Sequence, residues 1–287
     1  MRAIQGGVTA AQGFVASGVS AGIKRSRKPD LALVVSETPA IAAAVFTINR
    51  VKAAPVQISA QRVRRGRARA VLLNSGCANC LTGTPGLRDA LRLGRSVARA
   101  VDLNESDVLL ASTGLIGRRL PVARMERAVP KLVDGLNRAH HRAAAEAILT
   151  TDLKPKEAAV EARIGGRLCR IGGMAKGAGM IAPSMATMLS VITTDVAISA
   201  GLLRELLRKV TEGTFNRITV DGDMSTNDTV FALANGRSGV TIREGASLQT
   251  FALMLLEVSA KLATKIVEDG EGASRLMEVQ VDRKSVV

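Results

Sequence analysis

The segment Lys176-Gly-Ala-Gly-Met-Ile-Ala-Pro-Ser-Met-Ala-Thr-Met-Leu189 places an Ala-Thr peptide, Ala186-Thr187, between a glycine-rich loop and an apolar run. If this peptide bond is cut, Thr187 gains a free α-amine beside its hydroxyl, and the amine can act as the general base. Free α-amines titrate near ~7.7–8.0, so a useful fraction is neutral at cellular pH. The same residues also suit an ordinary turn before a strand, because glycine and proline favour turns. Composition alone favours the turn, and a further observation is needed to decide.

The composition predicts a globular protein with one sizeable domain. The chain has 287 residues, of which 47% are apolar, but it has no Trp or Tyr and five Phe. Ala, Val, Leu, Ile and Met must therefore build the core. The richest apolar run, from Leu31 to Phe46, is interrupted at residues 36–39, well before the ~18 apolar residues of a membrane span. The first seven residues lack the apolar region of a signal peptide. We expect no membrane association and a cytoplasmic location.

The charge balance leaves two alternatives. The net charge is +15 and the isoelectric point is about 10.8, as in many nucleic-acid-binding proteins. However, the basic residues are mostly scattered arginines, and the aromatic side chains that stack on bases are almost missing. An arginine-rich solvated surface that attracts small acidic substrates is the favoured explanation, so we expect no nucleic-acid partner and keep nucleic-acid binding as the alternative.

Short apolar runs alternate with longer amphipathic stretches, which predicts an α/β fold built as a layered α+β sandwich. Gly165-Gly166 predicts a tight hairpin turn. The predicted strands are Leu31–Ser36, Ala42–Phe46, Ala70–Leu73, Val108–Ser112, Val160–Ile164, Arg167–Met174, Met188–Thr193 and Val230–Ala234. The predicted helices are Gly86–Val101, Pro121–Leu136 with a kink at Pro130, Arg138–Leu149, Ala200–Thr211 and Ser247–Glu268.

The domain organisation follows from the absence of repeats and linkers in the sequence. We expect one main catalytic domain over residues 1–275. Leu276-Met-Glu-Val-Gln-Val281 has the pattern of a further strand, after which the chain stops. A strand with no partner downstream predicts that residues 276–287 begin a second domain that is mostly missing.

Patterns that could bind a metal ion are incomplete. Cys77-Ala-Asn-Cys80 has the spacing of half a zinc or redox site, but no second pair follows, and the two histidines, His140 and His141, are adjacent. The segment that starts at Asp221 resembles a calcium loop, yet it has Thr226 in place of the required Gly and Ala232 in place of Glu. We expect no metal site.

Serine-nucleophile and nucleotide motifs are incomplete as well. Gly18-Val-Ser20-Ala-Gly22 fits the G-x-S-x-G pattern, but residues 23–29 do not predict the helix that a nucleophile elbow needs. The adjacent histidines are expected on a solvated helix face. Gly177-Ala-Gly179 lacks the third glycine of a dinucleotide fingerprint, and no Gly-Lys-Ser/Thr follows a glycine-rich loop. We expect no nucleotide cofactor, which leaves a catalyst that needs neither histidine nor metal.

The segment around Ala186-Thr187 closely resembles the self-cleavage site of the ornithine acetyltransferases, also called glutamate N-acetyltransferases, of arginine biosynthesis. Seven further groups of residues match that family in its order and cover essentially the whole chain. They are Gly7–Ala10 with Gly13-Phe14, Phe46–Pro55, Asn74–Asn79 with Thr82-Gly83, Ser112–Gly117, Thr150–Asp152 with Pro155-Lys156, Thr219–Asp228, and Glu268–Ala273. These ordered motifs favour a scission site over a turn.

The resemblance implies an enzyme with the fold of the self-processing aminopeptidases and ornithine acetyltransferases. In this family Thr187 would cut its own chain into an α chain, 1–186, and a β chain from 187 onward. Thr187 would then take an acetyl group from N2-acetylornithine and pass it to glutamate in a ping-pong cycle. The family implies α2β2 heterotetramers and no cofactor, and leaves acetyl-CoA open as a co-substrate.

The resemblance also implies site residues. Thr113 and Gly114 match the family's oxyanion hole, and Thr150, Lys176, Thr187 and Glu271 match its substrate contacts, with Thr151 as the alternative to Thr150. A cationic Lys176 suits an α-carboxylate, and an anionic Glu271 suits the δ-amine of ornithine. The chain ends short of the family's usual C-terminus, where further substrate contacts are expected. A self-processing amide hydrolase or aminopeptidase, with water as the acceptor, is the alternative within enzymes.

Overall fold

The computed structural model describes residues 1–182 and 188–280, in which nine strands and six α-helices occur. The strands are β1 (Arg2–Ala3), β2 (Phe14–Val19), β3 (Leu31–Phe46), β4 (Arg67–Cys77), β5 (Val108–Leu115), β6 (Lys156–Ile164), β7 (Arg167–Lys176), β8 (Leu189–Thr194) and β9 (Thr229–Ala234). The helices are α1 (Ala54–Val63), α2 (Gly83–Ala100), α3 (Val122–Asp134), α4 (His141–Ala147), α5 (Ala200–Gly213) and α6 (Ala246–Glu268).

The long strand β3 connects two halves of one sheet. The strand order is β1-β6-β7-β8-β9-β3-β4-β5, with β2 also paired to β3. The first half of β3 pairs with β2 and β4, and its second half pairs with β9. An irregularity between Val35 and Ala40 separates the two halves. The prediction of two strands here is wrong, because a bulge accommodates Pro39 without ending the strand.

Alternating side chains divide each central strand between two cores. In β4, Leu72 packs in an outer core with α2 and α3, whereas Leu73 lies in a central core. In β9, Val230 packs in a second outer core with α5 and α6, whereas Phe231 lies in the same central core. The two halves of the sheet therefore face each other, and helices cover both outer faces. This four-layer arrangement confirms the predicted layered α/β sandwich.

Local sequence patterns explain helix α5 and the turn between β6 and β7. Ser199 caps α5 by accepting a hydrogen bond from the Leu202 amide at 3.3 Å. Leu203, Leu206, Leu207 and Val210 repeat at helical spacing and are buried. The predicted hairpin turn at residues 165–166 is confirmed, because both glycines have positive φ angles, 57° and 80°.

Strand β2 and helix α1 are absent from the prediction. Gly18 lies in β2, where a Cβ atom would stand 2.0 Å from the Ala143 carbonyl oxygen. The glycine of the apparent G-x-S-x-G motif therefore lets helix α4 pack closely on the strand. The predicted helix over residues 138–149 is shorter and begins with a 3-10 turn at Arg138–His140.

The two histidines and the C-terminal segment differ in part from the prediction. His140 is exposed as predicted, but the ring of His141 is half-buried, with Nδ1 2.7 Å from a Glu157 carboxylate oxygen. The predicted strand at 276–281 does not form over its described residues, 276–280. An isolated strand gains no ladder hydrogen bonds, and none of the nine strands pairs with this segment. Among the described residues, no helix is long and apolar enough to cross a membrane.

Candidate active site

The segment that carries the predicted scission junction is held at both of its ends. Lys176 closes β7 and pairs with Leu189 of β8. The Met188 amide donates a hydrogen bond to Asp228 Oδ1 at 3.1 Å, and the Met188 carbonyl accepts one from the Thr229 amide at 3.1 Å. The predicted junction, Ala186-Thr187, lies outside the described residues. The strands thus fix the two ends of the segment 177–188.

A cavity of about 900 Å³ opens beside Gly179 and Met180 of this segment. Its wall contains every described residue that the sequence predicted for the site: Thr113, Gly114, Thr150, Lys176 and Glu271, together with Thr151. These residues come from segments far apart in the chain, and the fold brings them to one surface. Basic residues also line the cavity, namely Lys24, Arg25, Arg118, Arg119 and Arg124. These were not predicted as site residues.

Thr113 and Gly114 lie within β5, which continues to Leu115 instead of ending at Ser112. Gly114 has a φ of 123° and stands opposite Gly76 in the parallel pairing of β4 and β5. A Cβ atom at Gly114 would lie 2.5 Å from the Gly76 carbonyl carbon. Only glycine fits this position, which keeps the Gly114 backbone on the cavity wall.

Lys176 is a buried cation at the base of the cavity. Its ammonium donates to Thr150 Oγ1 at 2.7 Å and lies 3.6 Å from Asp152 Oδ2. The side chain of Thr150, one of the two predicted alternatives, therefore contacts Lys176. Burial lowers the pKa of Lys176, and the neighbouring carboxylate of Asp152 opposes this effect. The ammonium is thus held in a site with little water.

Asp152 belongs to a buried group of two cations and two anions, and we call Asp152, Lys156, Lys176 and Asp269 the charge cluster. Lys156 Nζ donates to Asp152 Oδ1 at 2.7 Å and to Asp269 Oδ2 at 2.6 Å. Asp152 Oδ1 also accepts from the Gly177 amide at 2.7 Å. Burial opposes the ionisation of Asp152, but Lys176 and Lys156 hold its pKa well below the usual range. The charge cluster therefore fixes the start of the glycine-rich loop.

The charge cluster is difficult to recognise from the sequence. Asp152 and Lys156 occur in a matched motif, but nothing in that motif indicates that they are buried. Asp269 lies 113 positions from Lys156 in the chain. A local pattern cannot reveal such a pairing, because only the fold brings the two residues together.

Asp221 and Glu271 border the same loop. Asp221 accepts hydrogen bonds from the amides of Met180 and Ile181 at 2.5 and 2.8 Å and from that of Asp223 at 3.1 Å. Burial opposes its ionisation, but these amides hold its pKa below the usual value. Glu271 lies close to Gly179, because a Cβ atom on Gly179 would be 2.7 Å from the Cδ atom of Glu271. Asp221 thus braces the loop, and Glu271 is exposed beside it.

Asn227 and Asp228, which directly precede β9, brace the site. The side-chain amide of Asn227 donates hydrogen bonds to the carbonyl oxygens of Ala78 and Ser112 at 2.7 and 2.8 Å. Asp228 is buried, and its Oδ2 has no hydrogen-bond partner among the described residues. Burial raises the pKa of Asp228 well above the usual value. Within the described ranges, no group of three or more His, Cys, Asp or Glu side chains is arranged to hold a metal ion.

Known proteins match this chain over nearly its whole length. A sequence profile of the ArgJ family matches residues 15–285. The chain belongs to the ArgJ family. The arginine biosynthesis bifunctional protein ArgJ of Thermosynechococcus vestitus is 50% identical over 285 residues, covering 98% of this chain and 68% of that protein. The glutamate N-acetyltransferase of Methanocaldococcus jannaschii is 48% identical over 285 residues, covering 98% and 69%.

Solved structures agree with this assignment to the ArgJ family. The ArgJ protein of Bacillus halodurans matches with 36% identity and a TM-score of 0.59, covering 65% of this chain and 97% of that chain. The ornithine acetyltransferase of Mycobacterium tuberculosis, solved with ornithine, matches with 44% identity and a TM-score of 0.59, covering 64% and 98%. An L-aminopeptidase of Ochrobactrum anthropi, at 14% identity, a TM-score of 0.58 and coverage of 92% and 86%, shares the fold. The family resemblance drawn from the motifs is confirmed.

Proposed function

We propose that this chain is a self-processing acetyltransferase of arginine biosynthesis, in which Thr187 carries an acetyl group from N2-acetylornithine to glutamate. The observation that carries the proposal is the cavity in which Thr113, Gly114, Thr150, Lys176 and Glu271 lie together beside Gly179 and Met180 of the segment 177–188. The names of the relatives, glutamate N-acetyltransferase and ornithine acetyltransferase, support the same chemistry.

The first step in this proposal is scission of the chain. The Thr187 hydroxyl oxygen attacks the Ala186 carbonyl carbon, and the acyl group shifts from the nitrogen of Thr187 to its oxygen. Water then hydrolyses the ester, which leaves a carboxylate on Ala186 and a free amine on Thr187. The amides of Ile181 and Met188, on either side of the junction, donate hydrogen bonds to Asp221 and Asp228. These bonds support this step, because they restrict the flanking residues before the reaction.

The second step is acetyl transfer. The Thr187 amine removes the proton of its own hydroxyl, and the oxygen attacks the acetyl carbonyl of N2-acetylornithine. The proton passes to the departing α-amine of ornithine, and an acetyl ester remains on Thr187. The α-amine of glutamate then attacks this ester, which forms N-acetylglutamate and restores the hydroxyl. Water in place of glutamate would give the hydrolase alternative.

Each attack creates an oxyanion that needs hydrogen-bond donors in fixed positions. We assign this role to Thr113 and Gly114, whose backbone is fixed by the close contact between Gly114 and Gly76. Loss of one such donor typically lowers the rate by ~10²–10³. We assign the substrate α-carboxylate to Lys176, which lies beside Thr150, and the δ-ammonium of ornithine to Glu271 at the edge of the cavity.

The scission step gives a direct test. The purified protein should separate into two bands on a denaturing gel, and N-terminal sequencing of one fragment should begin at Thr187. The Thr187→Ala variant should remain uncut and inactive. An uncut chain that still transfers acetyl groups would overturn the proposal, and release of free acetate without N-acetylglutamate would favour the hydrolase.

Several finer properties belong to the same proposal. The self-cleaved chains are expected to form α2β2 heterotetramers in the cytoplasm, with residues 1–275 as the main catalytic domain. No cofactor is required by the threonine chemistry, and acetyl-CoA remains open as a second acetyl donor. Nucleic-acid binding, the alternative from another class, would instead appear as retention on DNA with a steep dependence on salt.

A further inference from the structure

The two amino acids that exchange the acetyl group differ in the charge of their side chains. If the proposed function holds, the same site must bind ornithine, which ends in an ammonium group, and glutamate, which ends in a carboxylate. The exposed carboxylate of Glu271 suits the ammonium group but repels a second carboxylate. The site therefore needs a cation for the side chain of glutamate in addition to Lys176.

Most cations near the cavity do not fit this role. Lys176 is already assigned to the α-carboxylate, and its ammonium is held by Thr150 and Asp152. Arg119 forms two hydrogen bonds, both of 2.8 Å, with the carboxylate of Asp89. Arg25 and Arg118 are exposed to solvent. Water and salt screen their charges more than that of a half-buried cation.

Lys24 has the required environment. It lines the cavity and is half-buried. Its ammonium donates one hydrogen bond to the Pro29 carbonyl oxygen at 2.7 Å, which leaves two hydrogens for another acceptor. Burial lowers the pKa of Lys24, and the neighbouring carboxylate of Asp30 opposes this effect. Lys24 and Lys176 line the same cavity, so one substrate can contact both.

The loop that carries Lys24 is fixed by a buried carboxylate. Asp30 accepts hydrogen bonds from the amides of Ala21, Ile23 and Lys24 at 2.6, 2.7 and 2.9 Å. Such a loop holds its side chains in place before the substrate arrives, which lowers the entropic cost of binding.

The stem of Lys24 also lies next to the proposed oxyanion site. A Cβ atom on Gly76 would be 3.0 Å from Lys24 Cγ, and Gly76 itself stands opposite Gly114. Lys24 and Gly114 therefore both lie against the same glycine. This places the Lys24 side chain beside the point where the acceptor must react.

We infer that Lys24 binds the side-chain carboxylate of the acceptor glutamate, whereas Glu271 binds the side-chain ammonium of ornithine. Two side chains of opposite charge then let one cavity accept both amino acids. Lys24 acts as a specificity-determining residue and takes no part in the bond changes at Thr187.

The test uses Lys24→Met and the matched control Lys28→Met. Lys28 is an exposed lysine of the same loop and does not line the cavity. For each protein, kcat/KM is measured with glutamate and with glutamine, whose side chain is neutral but similar in shape. Exchange of labelled ornithine into N2-acetylornithine is measured in parallel, since no substrate of that exchange carries a side-chain carboxylate.

A hydrogen bond to a charged group contributes about 1.5–3 kcal/mol, so Lys24→Met should lower kcat/KM for glutamate by about 10- to 150-fold. The preference for glutamate over glutamine should disappear, ornithine exchange should change far less, and Lys28→Met should resemble the unmodified protein. Lys24→Arg should restore part of the preference. An unchanged preference in Lys24→Met, or equal loss in all three reactions, would overturn the inference.

The design separates this inference from the proposed function. If the unmodified protein shows neither ornithine exchange nor transfer to glutamate, the proposed function fails. If both reactions occur and the preference for glutamate does not depend on Lys24, only the inference fails. The preference is the ratio of kcat/KM for glutamate to kcat/KM for glutamine in one preparation. A smaller folded fraction lowers both values equally and leaves their ratio unchanged. Lys24→Gln, which keeps a polar side chain of similar length, gives the same ratio if Lys24→Met does not fold.

Discussion

Replacement of Gly114 by alanine tests the geometry of the proposed oxyanion site. The new Cβ would lie 2.5 Å from the carbonyl carbon of Gly76 and 2.7 Å from the amide nitrogen of Cys77. Ordinary contact begins at 3.4 Å, so the ends of β4 and β5 must separate by about 0.9 Å. Backbone atoms cannot rotate away as a flexible side chain can. The displacement therefore moves the proposed donors themselves.

The size of the effect follows from this displacement. A shift of about 1 Å in a catalytic group costs about 10²-fold in rate. We expect Gly114→Ala to lower kcat for acetyl transfer by about 100-fold with a smaller change in KM, because the oxyanion exists only in the transition state. Alanine at the positive φ of Gly114, 123°, should also lower the free energy of unfolding by about 1–3 kcal/mol.

Gly117→Ala is the matched control for this experiment. Gly117 also has a positive φ, 79°, but a Cβ there would meet nothing within 4 Å. Its alanine variant should have a similar backbone strain and nearly full activity. Urea unfolding would measure the strain, and steady-state kinetics would measure the transfer. If Gly114→Ala is as active as Gly117→Ala, the reasoning about the oxyanion site is wrong.

Three further predictions concern the charged residues of the site. Asp152→Asn should lower the free energy of unfolding by about 3–5 kcal/mol, because it leaves buried Lys156 and Lys176 with one carboxylate; urea unfolding at neutral pH measures this. The pKa of Asp152 is lower in the folded chain than the ~3.9 of an unfolded chain. Its contribution to the free energy of unfolding is therefore complete above about pH 4 and is lost as the pH falls through the folded value. If the difference in stability between the unmodified protein and Asp152→Asn did not shrink in acid, the charge cluster would be contradicted. KM for N2-acetylornithine should increase as the pH is raised, and the increase should begin below 10.5, the ordinary pKa of lysine. The reason is that the lowered pKa of Lys176 lets its ammonium lose the proton, and with it the positive charge, in this pH range. A KM that does not change with pH would contradict carboxylate binding by Lys176. Asp221→Ala leaves the amides of Met180, Ile181 and Asp223 without their acceptor, so scission followed on denaturing gels should be slower, and an unchanged rate would contradict the bracing role of Asp221.

The regular elements of the fold were predictable where the local pattern was strong. The hairpin of β6 and β7 follows from two apolar runs around Gly165-Gly166, and α6 follows from a long apolar helix face. Strand β2 was not predicted, because Ser17 and Gly18 weaken its pattern and Gly18 is there for the approach of α4. The single long β3 was not predicted, because Pro39 indicates a break that a bulge absorbs.

The sequence predicts several residues of the site but not the contacts between them. Thr113, Gly114, Thr150, Lys176 and Glu271 came from the family resemblance, and the fold brings all five to one cavity. The partnership between Lys156 and Asp269 and the position of Lys24 depend on contacts between distant parts of the chain. Their residue types are ordinary surface types in the sequence, and only burial distinguishes them.

The proposed reaction depends on an acetyl ester on Thr187, and this ester can be trapped. The protein would be mixed with N2-acetylornithine without glutamate, quenched in acid, digested and analysed by mass spectrometry. We expect one acetyl group on the peptide that begins at Thr187, and we expect its loss when glutamate is added before the quench, as N-acetylglutamate forms. Transfer at full rate with no acetyl group on that peptide, or with acetyl on another residue, would rule out Thr187 as the acetyl carrier.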